Sequence, residues 1–151
     1  MSNPNSALEE CTEEMSHPRV TVRANGRVAT FLNPHRTNIK KIDVDCWLCN
    51  VEVKADFVVS KVGAVDVIVE LKGKDIDHAI EQLLATLKKW KAVPPYSPKV
   101  GSLIVFTRSP RRSAELDNVK LRFLKQQAIW LEMGKSGVRD YDFKMFTGAR
   151  A

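Results

Sequence analysis

Long hydrophobic runs are missing from this chain. No apolar stretch approaches the roughly 20 residues that a membrane helix needs, so no membrane partner is expected. The start, MSNPNSALEECTEEMSHP, lacks a basic opening followed by an apolar block, which excludes a secretory signal and points to an intracellular, cytoplasmic protein. Cysteine is scarce: three residues, an odd number, argue against a disulfide framework and fit a reducing compartment. Cys46 and Cys49 form one C-x-x-C in DCWLCN, but no second pair completes a structural zinc site. Cys11, His17, His35 and His78 have no finger-like spacing, so packed or half-exposed thiols are expected. Aromatic residues make up only 7%; Tyr96 or Trp130 could stack on a base, with Trp130 expected first as a core residue. Lys and Arg are absent from residues 1–18, which hold Glu9, Glu10, Glu13 and Glu14. The remainder carries all 24 basic side chains against 14 of the 18 acidic ones, a formal +10 that suits a polyanion such as nucleic acid.

The 151 residues suffice for one domain with a real core, taken as 19–151 behind an acidic segment, 1–18, that is either a short helix or disordered. RVTVRANGRVATFL alternates on both sides of Asn25-Gly26, the strongest hairpin signal in the chain. NIKKIDVDCWL and VEVKADFVVSK read as further strands, with Gly63 as a turn. AVDVIVELK is nearly all apolar, as in a strand covered on both faces. Gly73 breaks it, and Asp75 or Asp77 can cap the helix in DIDHAIEQLLATLKKW, where Ile76, Ile80, Leu83, Leu84, Leu87 and Trp90 form one stripe. The strand VGSLIVFT, a helix near 114–126, the strand AIWLEM and a short alternating DYDFKMF complete the order. This succession predicts an α/β fold whose crossover helix joins two parallel strands, with the early hairpin making the sheet mixed.

The charged end of the apolar strand is the informative feature. Alternation puts Asp66, Ile68, Glu70 and Lys72 on one face. Asp56, separated from Glu70 by thirteen residues, can return alongside it through the Gly63 turn. Two desolvated carboxylates repel, and a hard divalent cation relieves this; Mg²⁺ needs only one or two carboxylates with waters and substrate oxygens. A nearby ammonium can orient or deprotonate water and offset charge in the transition state of phosphodiester hydrolysis.

From about Asp56 to Thr107 this layout resembles the PD-(D/E)XK, or restriction-endonuclease-like, nuclease superfamily, and ELKGKDIDHAIEQL is similar to its small prokaryotic members, with phage forms also small. The resemblance implies an α/β three-layer sandwich, a central mixed β-sheet flanked by helices. It implies a metal held by Asp56, Glu70 and the Leu71 carbonyl, with Asp56, Glu70, Lys72 and Gln82 as the catalytic set. The cofactor would be Mg²⁺, with Mn²⁺ able to substitute. The chain has AD where the archetype has PD, and the helical glutamate usual in the family would come from Glu9, Glu10, Glu13 or Glu14.

Nine Glu and fourteen Lys yield roughly one E-x-K by chance, so context must decide. Glu52-Val53-Lys54, paired with Asp43 or Asp45, is a rival, and Asp142-Phe143-Lys144 mimics the D-x-K form. Only Glu70-x-Lys72 ends an apolar strand, has a spaced upstream Asp and leads into an amphipathic helix. The blander reading of Glu70 and Lys72 is a salt-bridged strand end. Asp66 is expected at a strand start, His78 in solvent, and Gln82 either in solvent or beside metal-bound water.

Lys74, Arg108, Arg111 and Arg112 follow the ends of neighbouring strands and are the expected phosphate contacts, ahead of His35, Arg36, Lys40 and Lys41. The expected activity is metal-dependent endonucleolytic hydrolysis of DNA, with RNA second, directed by substrate structure, a partner or a homodimer. The competing readings are a non-catalytic nucleic-acid-binding or structural module, and an interaction protein such as an immunity or regulatory factor.

Overall fold

The computed structural model describes residues 4–71, 75–107, 113–127 and 129–147. The acidic start is ordered: helix α1, Pro4–Glu10, leads directly into strand β1, Thr12–Met15. The Asn25-Gly26 hairpin forms between β2, Arg19–Ala24, and β3, Arg27–Leu32. Both turn residues have positive φ, 55° and 74°, the conformation that fits the twist of a two-residue hairpin and that Asn and Gly tolerate. β4, Ile39–Asp43, is shorter than the sequence suggests, because Asp43 accepts from the Cys46 N–H at 3.3 Å and caps a short helix α2, Val44–Trp47. β5, Phe57–Lys61, and β6, Val65–Glu70, then flank a turn in which Gly63 adopts φ 84°. The crossover helix α3, Ile76–Trp90, precedes β7, Lys99–Phe106. Helix α4, Ser113–Gln127, strands β8, Trp130–Lys135, and β9, Asp140–Asp142, and a 3-10 helix, Phe143–Phe146, complete the chain.

Six strands form the main sheet in the order β1-β4-β5-β6-β7-β8. It is mixed, as expected, but for another reason: β4, β5 and β6 run antiparallel, whereas β6, β7 and β8 are parallel. The hairpin lies elsewhere, in a second sheet of order β2-β3-β9.

One face of the main sheet carries Ile42, Val58, Ile68, Ile104 and Leu131, packed with Leu8 of α1, Val44 of α2, Leu83 and Trp90 of α3, and Phe123 of α4. The opposite face, with Val59, Val67, Val69, Leu103 and Val105, packs on Val22 and Phe31 of the hairpin and on Tyr141 and Phe146. Among the described residues the four α-helices therefore flank the sheet on one face only, and the short 3-10 helix joins the hairpin on the other. The expectation of helices on both sides is corrected, because the hairpin has one apolar face that must itself be buried and it covers the second face. Close approach there needs glycine: a Cβ on Gly134 would overlap the Tyr141 hydroxyl, and one on Gly101 would meet Phe146.

The expectation of three unpaired thiols is also corrected. Cys11 and Cys46 form a disulfide, with Cα atoms 5.7 Å apart, within the range a disulfide spans. The Asp43 N–H donates to the Cys11 carbonyl at 3.0 Å, which brings the α1–β1 junction beside α2. Cys46 is thereby committed to Cys11, and Cys49 is an exposed thiol. An odd cysteine count is thus no argument here for a reducing compartment. Among the described residues no helix is long and apolar enough to cross a membrane.

Candidate active site

Asp56 and Glu70 meet because β5 and β6 pair antiparallel in a register that sets Phe57 opposite Val69. Asp56 is one residue before Phe57 and Glu70 one after Val69, so they are cross-strand neighbours on strands about 4.8 Å apart. The Asp56 N–H donates to the Val69 carbonyl at 3.0 Å, and the Asp56 carboxylate accepts from the Leu71 N–H at 2.7 Å. The Asp56 side chain is thus fixed against the peptide that joins Glu70 to Leu71. Glu70 and Leu71 are fully buried, and Asp56 is half-buried. Alternation aims Val69 at the second sheet and Glu70, like Ile68, at the helical layer.

Helix α3 fixes the approach to Asp56 with two polar side chains. Gln82 Nε2 donates to the Lys54 carbonyl at 3.0 Å, and Thr86 Oγ1 accepts from the Ala55 N–H at 2.7 Å. Both are buried, which excludes the solvent-exposed reading of Gln82. The helix is rotated from its purely apolar stripe: Ala79, Gln82, Leu83, Thr86, Leu87 and Trp90 are buried, whereas Ile76, Ile80 and Leu84 are half-buried. Thr86 was not singled out from sequence. Its only signal is position, four residues after Gln82 and therefore on the same face. The Asp56 carbonyl also accepts from the Val44 N–H of α2 at 3.1 Å, so α2 and α3 both brace this segment.

The other acids have different roles. In the rival motif, Glu52 is exposed and lies outside any strand, while Lys54 pairs with Asp45 at 2.8 Å and donates to the Leu48 carbonyl. Asp142 caps the 3-10 helix, accepting from the Lys144 N–H. Asp66 shares the Glu70 face but lies about 13 Å away along an extended strand. It is fully buried, accepting from Ser60 Oγ at 2.6 Å and Trp90 Nε1 at 3.0 Å, and it ties the end of α3 to the sheet. Burial pushes its carboxyl above the usual carboxylate range, opposed by the Ser60, Ser97 and Trp90 hydrogen bonds. His78 is partly exposed, 3.7 Å from Glu81. Glu13 and Glu14 pair across strands with Lys41 and Lys40, at 3.9 and 3.6 Å, whereas Glu9 and Glu10 at the end of α1 are exposed. Lys40 also covers the ring of Tyr96, whose edge meets Trp90, so this aromatic is already packed.

Lys72 and Lys74, and Arg108, Arg111 and Arg112, lie outside the described residues. Among the described residues, β6 and β7 are parallel with Glu70 opposite Ile104, so these two strands end at the same edge of the sheet.

The donor set fits a hard cation sparingly. Among the described residues no group of three or more His, Cys, Asp or Glu is arranged to hold a metal ion. Two carboxylates and a backbone carbonyl are oxygen donors of the kind Mg²⁺ accepts beside water. One Asp56 oxygen is taken by Leu71, and the other accepts no hydrogen bond from the described residues. Gln82 Oε1, buried, likewise has no hydrogen-bond partner among them.

Compared with known proteins, the chain matches no family model, no curated protein and no solved structure.

Proposed function

We infer that this chain is a metal-dependent endonuclease of restriction-endonuclease-like architecture that hydrolyses phosphodiester bonds in DNA. The observation that carries this reading is the 2.7 Å hydrogen bond from the Leu71 N–H to the Asp56 carboxylate, which brings the upstream acid onto the Glu70-x-Lys72 tripeptide. A spaced Asp and a charged strand end are common separately. Their convergence where the antiparallel β5–β6 pair meets the end of the parallel β6–β7 pair, on a buried glutamate, is what a structural salt bridge does not require.

In this reading Asp56, Glu70 and the Leu71 carbonyl would hold Mg²⁺ or Mn²⁺, and the ion would supply acidification of water and neutralisation of phosphate charge. Lys72 would orient water and offset the negative charge that develops on the phosphate. Gln82 and Thr86 hold residues 54 and 55, and through them Asp56, at a fixed distance from Glu70. Lys74, Arg108, Arg111 and Arg112 bind flanking phosphates. In this reading recognition of sequence would fall to a second copy or a partner, and the chain itself would read DNA structure.

Calorimetric titration of the full chain with Mn²⁺, beside Asp56→Asn and Glu70→Gln, tests the metal assignment. Circular dichroism should show all three folded. Saturable binding by the wild type, weakened about tenfold or more in each variant, is expected. Equal binding by all three, or none by any, removes the metal site and leaves a non-catalytic module.

A further inference from the structure

The second sheet puts a basic hairpin tip at the same edge as Asp56 and Glu70. Arg27 Nε donates to Thr107 Oγ1 at 2.8 Å, and Arg27 Nη1 donates to the Asn25 carbonyl at 3.2 Å. Thr107 immediately follows β7, three residues beyond the register partner of Glu70, or about 10 Å further out along the strand direction. A second tether reinforces the first: the Val28 N–H donates to Ser136 Oγ at 2.9 Å, and the Ser136 N–H donates to the Phe106 carbonyl at 2.8 Å. The tip is therefore fastened to the ends of both β7 and β8 and reaches past them.

Its charges are not neutralised. Arg23 on the outer face of the hairpin, and Lys135 at the end of β8, are exposed, and neither has a carboxylate within ion-pair distance among the described residues. Arg27 spends its hydrogen bonds on a hydroxyl and a carbonyl, so its positive charge also remains uncompensated. By contrast, Arg19 at the far end of the same hairpin is paired with Asp140 at 2.8 Å. Free cations thus gather at the end of the hairpin nearest Glu70.

We propose that the β2–β3 tip is a DNA-docking element, in which Arg23 and Arg27 bind phosphates of a duplex that lies across the strand ends and Lys135 extends the contact. The proposal rests on the nuclease reading for its choice of nucleic acid, and the hairpin shape adds to it. A two-stranded ribbon enters the major groove of B-form DNA, whereas the deep, narrow groove of A-form RNA excludes it.

Binding of a labelled DNA duplex in EDTA, measured over a salt series, tests this without any cleavage. Each phosphate contact contributes about 0.9 to the slope of log K against log salt, so Arg23→Gln with Arg27→Gln should flatten it by about 1.8 and weaken binding. Arg23→Gln alone, which breaks no hydrogen bond of the fold, should remove about half of that change, and Arg19→Gln should leave the slope intact. An unchanged slope in the double variant overturns the proposal, as does an A-form RNA duplex bound as tightly as DNA. If the slope changes as expected but no divalent metal supports cutting, the docking element stands and the nuclease reading falls. If the wild type cuts DNA while the double variant binds normally, only the docking proposal falls.

Discussion

Replacing Thr86 by Val tests whether helix α3 holds Asp56 through the backbone that precedes it. The substitution preserves branching and volume but deletes the oxygen that accepts from the Ala55 N–H, at 2.7 Å in a place where both residues are buried. A buried donor left unpaired costs about 1–3 kcal/mol, since it has surrendered water without a replacement. For a chain of this size each kcal/mol lowers the melting temperature by about 2–4 °C, so a fall of about 2–12 °C is expected. Urea unfolding followed by far-ultraviolet circular dichroism measures the free energy directly, with Thr86→Ser, which keeps the acceptor, as the control. Gln82→Leu frees the neighbouring Lys54 carbonyl, and because the two side chains grip adjacent residues the double variant should deviate from additivity by about 0.5–3 kcal/mol. If Thr86→Val unfolds within about 0.5 kcal/mol of wild type, the surface-like behaviour would show that this hydrogen bond is dispensable. The clamp on Asp56 would then have to be abandoned.

Two further outcomes follow from buried groups. Asp66 has a folded pKa above its unfolded value of 3.8, so folding favours its protonated form: the stabilisation is complete below 3.8 and is lost as pH rises through the raised folded value. Asp66→Asn should therefore flatten the pH dependence of unfolding in that window, whereas Asp66→Leu, which strands the Trp90 and Ser60 donors, should cost about 2–4 kcal/mol at neutral pH. A wild-type stability that rises through the same window would refute the assignment. The Cys11–Cys46 bond closes a sequence separation of 35 residues, so its reduction should lower stability by about 2–4 kcal/mol. Cys11→Ser should reproduce that loss and no longer respond to reductant, while Cys49→Ser should behave as wild type; a reductant-insensitive wild type would contradict the link.

How far the sequence carries the fold depends on the range of the forces involved. The Asn25-Gly26 turn is legible because two adjacent residues with positive φ define it locally, and the burial of β6 is legible from its unbroken apolar run. The return of Asp56 to Glu70 follows from a turn at Gly63 and the period of two in strands, both short-range. The separate second sheet is not legible, since nothing in RVTVRANGRVATFL says which face of which sheet its valines will cover. Nor is the disulfide, because Cys46-x-x-Cys49 advertises a local pair, whereas α2 directs Cys46 to a residue 35 positions earlier. The start of α2 is hidden by the alternation in NIKKIDVDCWL, which Asp43 interrupts by capping. Gln82 and Thr86 look like the polar flank of an amphipathic helix. They are buried because the backbone at 54–55 offers them partners, a fact that only the packed structure contains.

Cleavage is the measurement closest to the central claim. Supercoiled plasmid, linear duplex, single-stranded and branched DNA, and RNA would each be incubated with the wild type, Asp56→Asn and Lys72→Ala in Mg²⁺, Mn²⁺ or EDTA. The account predicts cutting of DNA by the wild type only with metal, and none by either folded variant. Cutting that survives in EDTA, or that Asp56→Asn retains at the wild-type rate, would contradict it.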